Sequence, residues 1–146
     1  MDYLMMSDAH VHQVAEIESL CFSTPWSEKS IASEIMNPLS AWFVAVEDNN
    51  VVGYVGSQTV LGESDMMNLA VLPEYRRQGI GRRLVETLVS HLSADSVTCL
   101  TLEVRASNDA AVFLYNSMGF VEVGRRPNYY TKPKEDALIL RKDLCV

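Results

Sequence analysis

Apolar positions along this 146-residue chain recur with two different periods, and the places where the period changes mark strands giving way to helices. The sharpest change lies near the middle. Met66 to Leu72 is an apolar run broken only by Asn68, and Pro73 stops it because proline cannot extend a strand ladder. From Ile80 the apolar residues fall at Leu84, Leu88 and Leu92, joined by Val85 and Val89. That is the i, i+4 stripe of a half-buried helix, with Arg82, Arg83, Glu86, Ser90 and His91 on the other side.

The flanking segments follow the same logic. Tyr3 to Met6 predicts a first strand, and Ser7 or Asp8 caps a helix whose buried side runs through Val11, Val14, Ala15, Leu20 and Cys21. Pro25 breaks that helix, and Ser27 caps a second one that buries Ile31 and Ile35 and ends at Asn37-Pro38. Ala41 to Val46 and Val51 to Val60 are strand-like, with Asp48-Asn49-Asn50 turning between them and Leu61-Gly62-Glu63-Ser64 turning into the central run. Three consecutive antiparallel neighbours are therefore expected. The central strand, its helix and a strand over Val97 to Val104 form a crossover unit, which gives parallel pairing. Asn108 caps a helix over Asp109 to Met118, and Gly119 ends it. Phe120 to Gly124 and Ala137 to Leu140 read as a last strand pair, with Arg125 to Lys134 as a polar loop between them. The expected fold is α/β, one domain over residues 1–146, with a mixed and mostly antiparallel sheet flanked by helices.

The turn at residues 76–82 is built to hold an anion. Gly79 and Gly81 let the backbone curl and approach a ligand closely. The first N–H groups of the following helix lack internal partners and carry the positive end of its dipole. Arg76, Arg77, Arg82 and Arg83 add four charges there, so phosphate is the expected guest. No Gly-Lys-Ser/Thr follows, and Leu84 stands where a dinucleotide fingerprint needs its third glycine. A solvated, arginine-rich helix start is the plainer reading of the same residues.

Composition narrows the class. Net charge is −7, which argues against general nucleic-acid binding and suits either a cationic substrate or simple solubility. No apolar run reaches the length of a membrane span, and the start lacks the basic region of a signal peptide, so a cytoplasmic protein is expected. Cys21, Cys99 and Cys145 are few and far apart, as expected of reduced thiols in the core or tail. His10 and His12 stand two apart on a helix, on different faces, and no metal site is expected. Phe22 and Trp26 read either as a staple closing the first helix pair or as a wall of a substrate cleft.

Arg-x-x-Gly-x-Gly between strand and helix resembles the pyrophosphate loop of the GNAT acetyltransferase superfamily. A second string, Asn108-x-x-Ala111-x-x-x-Tyr115-x-x-x-Gly119-Phe120 on a strand-to-helix joint, is similar to the C-terminal half of the same superfamily. Leu102-Glu103-Val104-Arg105-Ala106-Ser107-Asn108, the Tyr129-Tyr130 pair after Arg125-Arg126, and Pro25-Trp26-Ser27 resemble its ribosomal-protein alanine N-acetyltransferases. That type commonly carries Arg-Arg-Asn-Tyr-Tyr, whereas here Pro127 adds a residue.

The resemblance implies a sheet whose central strands diverge and acetyl-CoA as co-substrate. Leu69, Ala70 and Val71, at a bulge, would hold the pantetheine arm and polarise the thioester. Arg77, Gln78, Gly79, Ile80, Gly81 and Arg82 would cradle the pyrophosphate, and Asn108 would bond the pantetheine. Glu103 would act as base and Tyr115 as acid. Trp26, Tyr129 and Tyr130 would meet the acceptor, the basic N-terminal peptide of a ribosomal protein. On residue pattern alone, Glu103 reads as a solvent-facing strand residue, Tyr115 as core and the tyrosine pair as hairpin packing.

The chemistry is consistent with those roles. Near pH 7.4 roughly a fifth to a third of an α-amine is unprotonated, against about 0.1% of a lysine. Full proton transfer from an ammonium near pKa 8 to an ordinary carboxylate costs roughly 5 kcal/mol, and about 8 kcal/mol from lysine. Glu103 would need a pKa raised by burial, or need only to remove the proton through water, and the larger gap for lysine mildly favours an N-terminal acceptor. Rival readings are a small-molecule amine or lysine acceptor, and an acyl-CoA-binding module without turnover. Paired base and acid candidates speak against the last.

Overall fold

A computed structural model describes residues 1–144. Its strands are β1 (Asp2–Met5), β2 (Ser40–Glu47), β3 (Asn50–Val60), β4 (Glu63–Val71), β5 (Cys99–Arg105), β6 (Val121–Thr131) and β7 (Lys134–Asp143). The helices are α1 (Asp8–Cys21), α2 (Glu28–Ile35), α3 (Ile80–Ala94) and α4 (Asp109–Ser117), with a short 3-10 turn at Pro73–Tyr75. One sheet runs β1-β2-β3-β4-β5-β7-β6, antiparallel throughout except for the parallel β4–β5 pair that the crossover through α3 demands.

Two apolar cores lie on its two faces. Val14, Ile17 and Ile31 of α1 and α2 pack on Trp42, Val44, Tyr54 and Ala70. On the other face Leu84, Leu88 and Leu92 of α3 and Tyr115 of α4 pack on Phe43, Val55, Leu100 and Leu102.

Local chemistry sets the boundaries. Ser7 and His10 form a capping box at α1, and Ser27 accepts the Ser30 N–H at α2. Asn108 Oδ1 accepts the Ala111 N–H at 3.1 Å and caps α4. Asp48 and Asn49 both have positive φ, which suits the tight turn joining β2 to β3.

Two expectations change. Leu20 is exposed, and the buried side of α1 is instead Val11, Val14, Ile17 and Glu18. Residues 125–134 are not a loop: β6 continues to Thr131 and turns directly into β7. Pro127 fits because β6 is an edge strand, whose outer N–H groups need no partner. The pairing jumps from Arg126–Ala137 to Tyr130–Glu135, so three residues of β6 face one of β7. Asn128 takes a positive φ in this bulge and donates its N–H to Asp136 Oδ1 at 2.8 Å. Pro127 thus lies within this bulge, and Tyr129 and Tyr130 stand beside the hairpin tip.

Candidate active site

The site lies where the sheet opens. β4 and β5 pair only at Glu63–Cys99, Ser64–Leu100 and Asp65–Thr101, and part beyond them. Opposite β3, Gly56 faces Asn68 and Ser57 faces Met66, so Met67 is an extra residue that bends β4 away. The bulge therefore precedes Leu69-Ala70-Val71 rather than falling within them. Leu72 donates its N–H to the Val52 carbonyl at 2.8 Å. By strand alternation, the main-chain groups of Leu69 and Val71 face away from β3, into the gap. Ala70 points its side chain into the core beneath α1 and α2.

A cavity of about 660 Å³ fills the gap. Its walls bring together Trp26, Leu69, Glu103, Asn108, Tyr115, Tyr129 and Tyr130, from five separate parts of the chain. Glu103 alternates with Leu102 and Val104, which face α3. Its carboxylate therefore enters from the opposite face, where it meets Arg126 Nε at 3.4 Å. The side chain keeps 26% of its surface, so water reaches it. Tyr115 enters from the α3 face. Its ring packs edge-on against Phe120 at 5.3 Å, and its hydroxyl donates to Met66 Sδ at 3.7 Å. Burial pushes its phenol well above the ordinary tyrosine range, so it remains a proton donor at neutral pH. Asn108 caps α4 through its oxygen, which leaves its amide N–H₂ outside the cap, and the residue lines the cavity.

The glycine turn adjoins this cavity. Arg77 and Gly79 have φ of 62° and 81°, which curls residues 76–79 in front of α3. The first intrahelical bond runs from Arg83 N–H to the Gly79 carbonyl at 3.0 Å. The N–H groups of Ile80, Gly81 and Arg82 therefore precede the helix ladder, without partners inside it. A Cβ at Gly79 would meet nothing within 4 Å, and one at Gly81 would lie 3.9 Å from Leu114, which lines the cavity. A turn of this shape, with free helix-start N–H groups, is suited to an anion such as a phosphate. Ile80 contributes backbone only, since its side chain is core. Gln78 reaches back to the Glu74 carbonyl at 3.4 Å.

The arginines do not form the single cluster expected from their spacing. Arg83 lies over the Tyr3 ring at 5.4 Å. Arg76 donates to the Val71 carbonyl at 3.0 Å and to Cys21 Sγ at 3.6 Å. Arg82 donates to Ser117 Oγ at the end of α4. Arg77 remains at the turn itself.

The opposite wall is made of side chains. Trp26 packs edge-on against Trp42 of β2 at 5.6 Å, and both Trp26 and Phe22 line the cavity while packing on the core beneath α1 and α2. Tyr129 and Tyr130 stack edge-on at 5.1 Å, and the Arg105 guanidinium lies over Tyr130 at 4.2 Å. Burial, then the neighbouring Tyr129, push the Tyr130 phenol up to about 12. Arg105 also donates to the Pro133 and Lys132 carbonyls at 2.9 and 3.0 Å, and Ser23 reaches the same Lys132 carbonyl at 3.5 Å. The hairpin tip is thereby tied to β5 and to the loop after α1.

Sequence reasoning missed Glu18, Asn68 and Arg105 as parts of this site. Glu18 carried a usable signal, an acidic residue on the apolar stripe of α1. Cys21, expected in the core, is half-buried and lines the cavity, Cys99 is buried, and Cys145 lies outside the described residues. Among the described residues no three His, Cys, Asp or Glu side chains are placed to hold a metal, and no helix is long and apolar enough to cross a membrane.

Comparison with known proteins agrees with this geometry. The Acetyltransferase (GNAT) family profile matches residues 11–120. The [ribosomal protein bS18]-alanine N-acetyltransferase of Escherichia coli K12 is 43% identical over 126 residues, covering 85% of this chain and 84% of that protein. Its counterpart from Salmonella typhimurium is 40% identical over 128 residues, covering 86% and 85%. The crystal structure of the Escherichia coli ribosomal-protein-S18-alanine N-acetyltransferase superposes with a TM-score of 0.91 at 37% identity, over 99% of this chain and 94% of that one. A seven-stranded sheet split beside a glycine turn, with this family match over most of its length, identifies the chain as a member of the GNAT family of acetyl-CoA-dependent acetyltransferases.

Proposed function

We propose that this chain, as one acetyltransferase domain, moves the acetyl group of acetyl-CoA to the N-terminal alanine of a ribosomal protein. The observation that carries the chemistry is the placement of Glu103 and Tyr115 on opposite faces of one split seam, both lining one cavity. An acceptor entering beside Trp26, Tyr129 and Tyr130 has Glu103 on its own side. Acetyl-CoA held at the α3 turn has Tyr115 on the other.

Glu103 removes the ammonium proton, through water given its exposure, and frees the amine for direct attack on the thioester carbon. The cleft-facing N–H groups of Leu69 and Val71 stabilise the oxyanion as the carbonyl becomes tetrahedral. As the C–S bond breaks, Tyr115 gives its proton to the departing sulfur, and the second proton of the attacking nitrogen passes through water to restore the phenol, leaving a neutral amide and a free thiol. No cysteine acts as a nucleophile. Backbone amides at Gln78 to Arg82, with the Arg77 and Arg82 side chains, hold the pyrophosphate, and the Asn108 amide bonds the pantetheine arm. The relatives named above support this acceptor, and a basic tail suits a chain of net charge −7. A ribosomal protein as acceptor places the reaction in the cytoplasm, with no direct contact to nucleic acid.

Acetyl transfer to a peptide panel tests the reading. Alanine-first basic peptides are expected to be acetylated at the N-terminus, and N-blocked lysine peptides are not. Transfer to the blocked set alone would reject the N-terminal acceptor.

A further inference from the structure

Glu18 has no part in the reaction just described, yet it is about 1% exposed and lines the cavity. Its carboxylate gathers three donors from three elements. Oε1 accepts the Tyr54 hydroxyl of β3 and Asn68 Nδ2 of β4 at 2.8 Å. Oε2 accepts the main-chain N–H of Trp26 at 2.9 Å. Burial first, and the bond to Glu18 second, push the Tyr54 phenol far above its ordinary range, so it stays a donor.

A ring of contacts closes behind this carboxylate. Tyr54 stacks on Trp42 at 5.9 Å, Trp42 meets Trp26 at 5.6 Å, and the Trp26 backbone returns to Glu18. Asn68, meanwhile, sits between the Met67 bulge and Leu69, whose main chain faces the gap. Position 18 lies on the apolar stripe of α1 with Val11 and Val14, where an aliphatic side chain would pack at no cost in desolvation. A buried carboxylate there is tolerable only because its lone pairs are filled, and what fills them is the acceptor wall on one oxygen and the bulged strand on the other.

We infer that Glu18 is the positioning residue of the acceptor subsite: it fixes the Trp26 loop to the bulged β4, setting where the incoming amine stands relative to the thioester. This rests on the acceptor entering beside Trp26, as proposed above. Glu18→Gln keeps the size of the side chain but turns an N–H₂ toward one of the three donors. In steady-state kinetics on the full chain, its acceptor-peptide KM is expected to rise about tenfold, a cost of roughly one hydrogen bond. The acetyl-CoA KM should stay within about twofold, because the α3 turn makes none of these contacts. An unchanged acceptor KM, or equal rises in both KM values, overturns the assignment. Should that variant fail to fold, Tyr54→Phe leaves the carboxylate two donors and loosens only its lateral hold. A rise of about threefold confined to the acceptor KM is then expected, and no change overturns the assignment. Wild-type enzyme that ignores alanine-first peptides would overturn the acceptor instead, and the same comparison of KM values is then read on the amine it does acetylate.

Discussion

The two walls of the cavity are made of different material. On the proposed co-substrate side most of the groups are main-chain, the helix-start N–H groups at residues 80–82 and the outward edge of β4 at Leu69 and Val71, with the Arg77, Arg82 and Asn108 side chains added to them. On the acceptor side they are side chains drawn from α1, the loop after it, β5 and the β6–β7 hairpin, locked together through Glu18 and Arg105. A backbone site tolerates most substitutions except those that change φ or fill space. A side-chain site changes its preference with one residue. The two walls are therefore expected to respond to different kinds of mutation.

The largest effect should come from Glu103, the proposed base, which lines the cavity between the two sides. Glu103→Gln is expected to lower kcat by at least about 100-fold. Acetyl-CoA affinity, measured by titration, should stay near wild type because Glu103 does not reach the turn. Unchanged turnover would remove it from the mechanism.

Tyr115→Phe keeps the ring against Phe120 and removes only the hydroxyl. A fall in kcat of about 10–100-fold is expected, with Tm nearly unchanged. The pH profile of the wild type gives a second reading. Burial raises the Tyr115 phenol, so its protonated form persists beyond the usual tyrosine pKa near 10. The rate should therefore climb as the acceptor amine loses its proton near pH 8 and show no descending limb below about pH 10. A decline between pH 8 and 9.5 that vanishes in the Phe variant would give the acid an ordinary or lowered pKa and contradict the burial argument.

Two glycines contrast the walls directly. A Cβ at Gly56 would lie 2.3 Å from Trp42 Cε2, so Gly56→Ala must displace the indole that supports Trp26. About 1–3 kcal/mol of stability should be lost, with acceptor KM rising more than acetyl-CoA KM. Gly79→Ala meets no atom within 4 Å but must hold φ near 81°. It should cost about 1–2 kcal/mol and weaken acetyl-CoA binding more than acceptor binding. Thermal unfolding and paired KM values check both, and a reversed pattern would mean that the two walls are not separate.

This difference in material also decides what could be read from the sequence. The run of strands and helices, the crossover and the glycine turn follow from local periodicity and from Gly79, Pro73 and Asn108, because each acts on its own backbone, whereas the place of β7 between β5 and β6 does not. Gly-x-Gly announces a main-chain site through the absence of side chains. Glu103 and Tyr115 came only by resemblance, since alternation and burial give them ordinary roles. Trp26, Tyr129 and Tyr130 came by resemblance, but the contacts that hold them were hidden because they join long stretches of chain: Glu18 with Tyr54 and Asn68, Arg105 with Lys132. Residues 125–134 look like a loop because Pro127 and Asn128 are turn formers. Only the edge position and the bulge against Asp136 make them a strand.

The smallest predicted effect corrects a reading that spacing invites. Arg77 and Arg83 stand six apart around the same turn, and both count equally in a tally of charge. Arg77 sits in the curl with a φ of 62°, while Arg83 leaves it to cover the Tyr3 ring on β1. Arg77→Ala should weaken acetyl-CoA binding several-fold, through lost charge at the anion site. Arg83→Ala should change it by less than about twofold, the residue of a screened charge at a distance, and instead lower Tm slightly through the lost contact with Tyr3. Calorimetric titration of coenzyme A against both variants at low and physiological salt separates the cases. Equal losses would return Arg83 to the turn and restore the four-charge cluster that the sequence suggests.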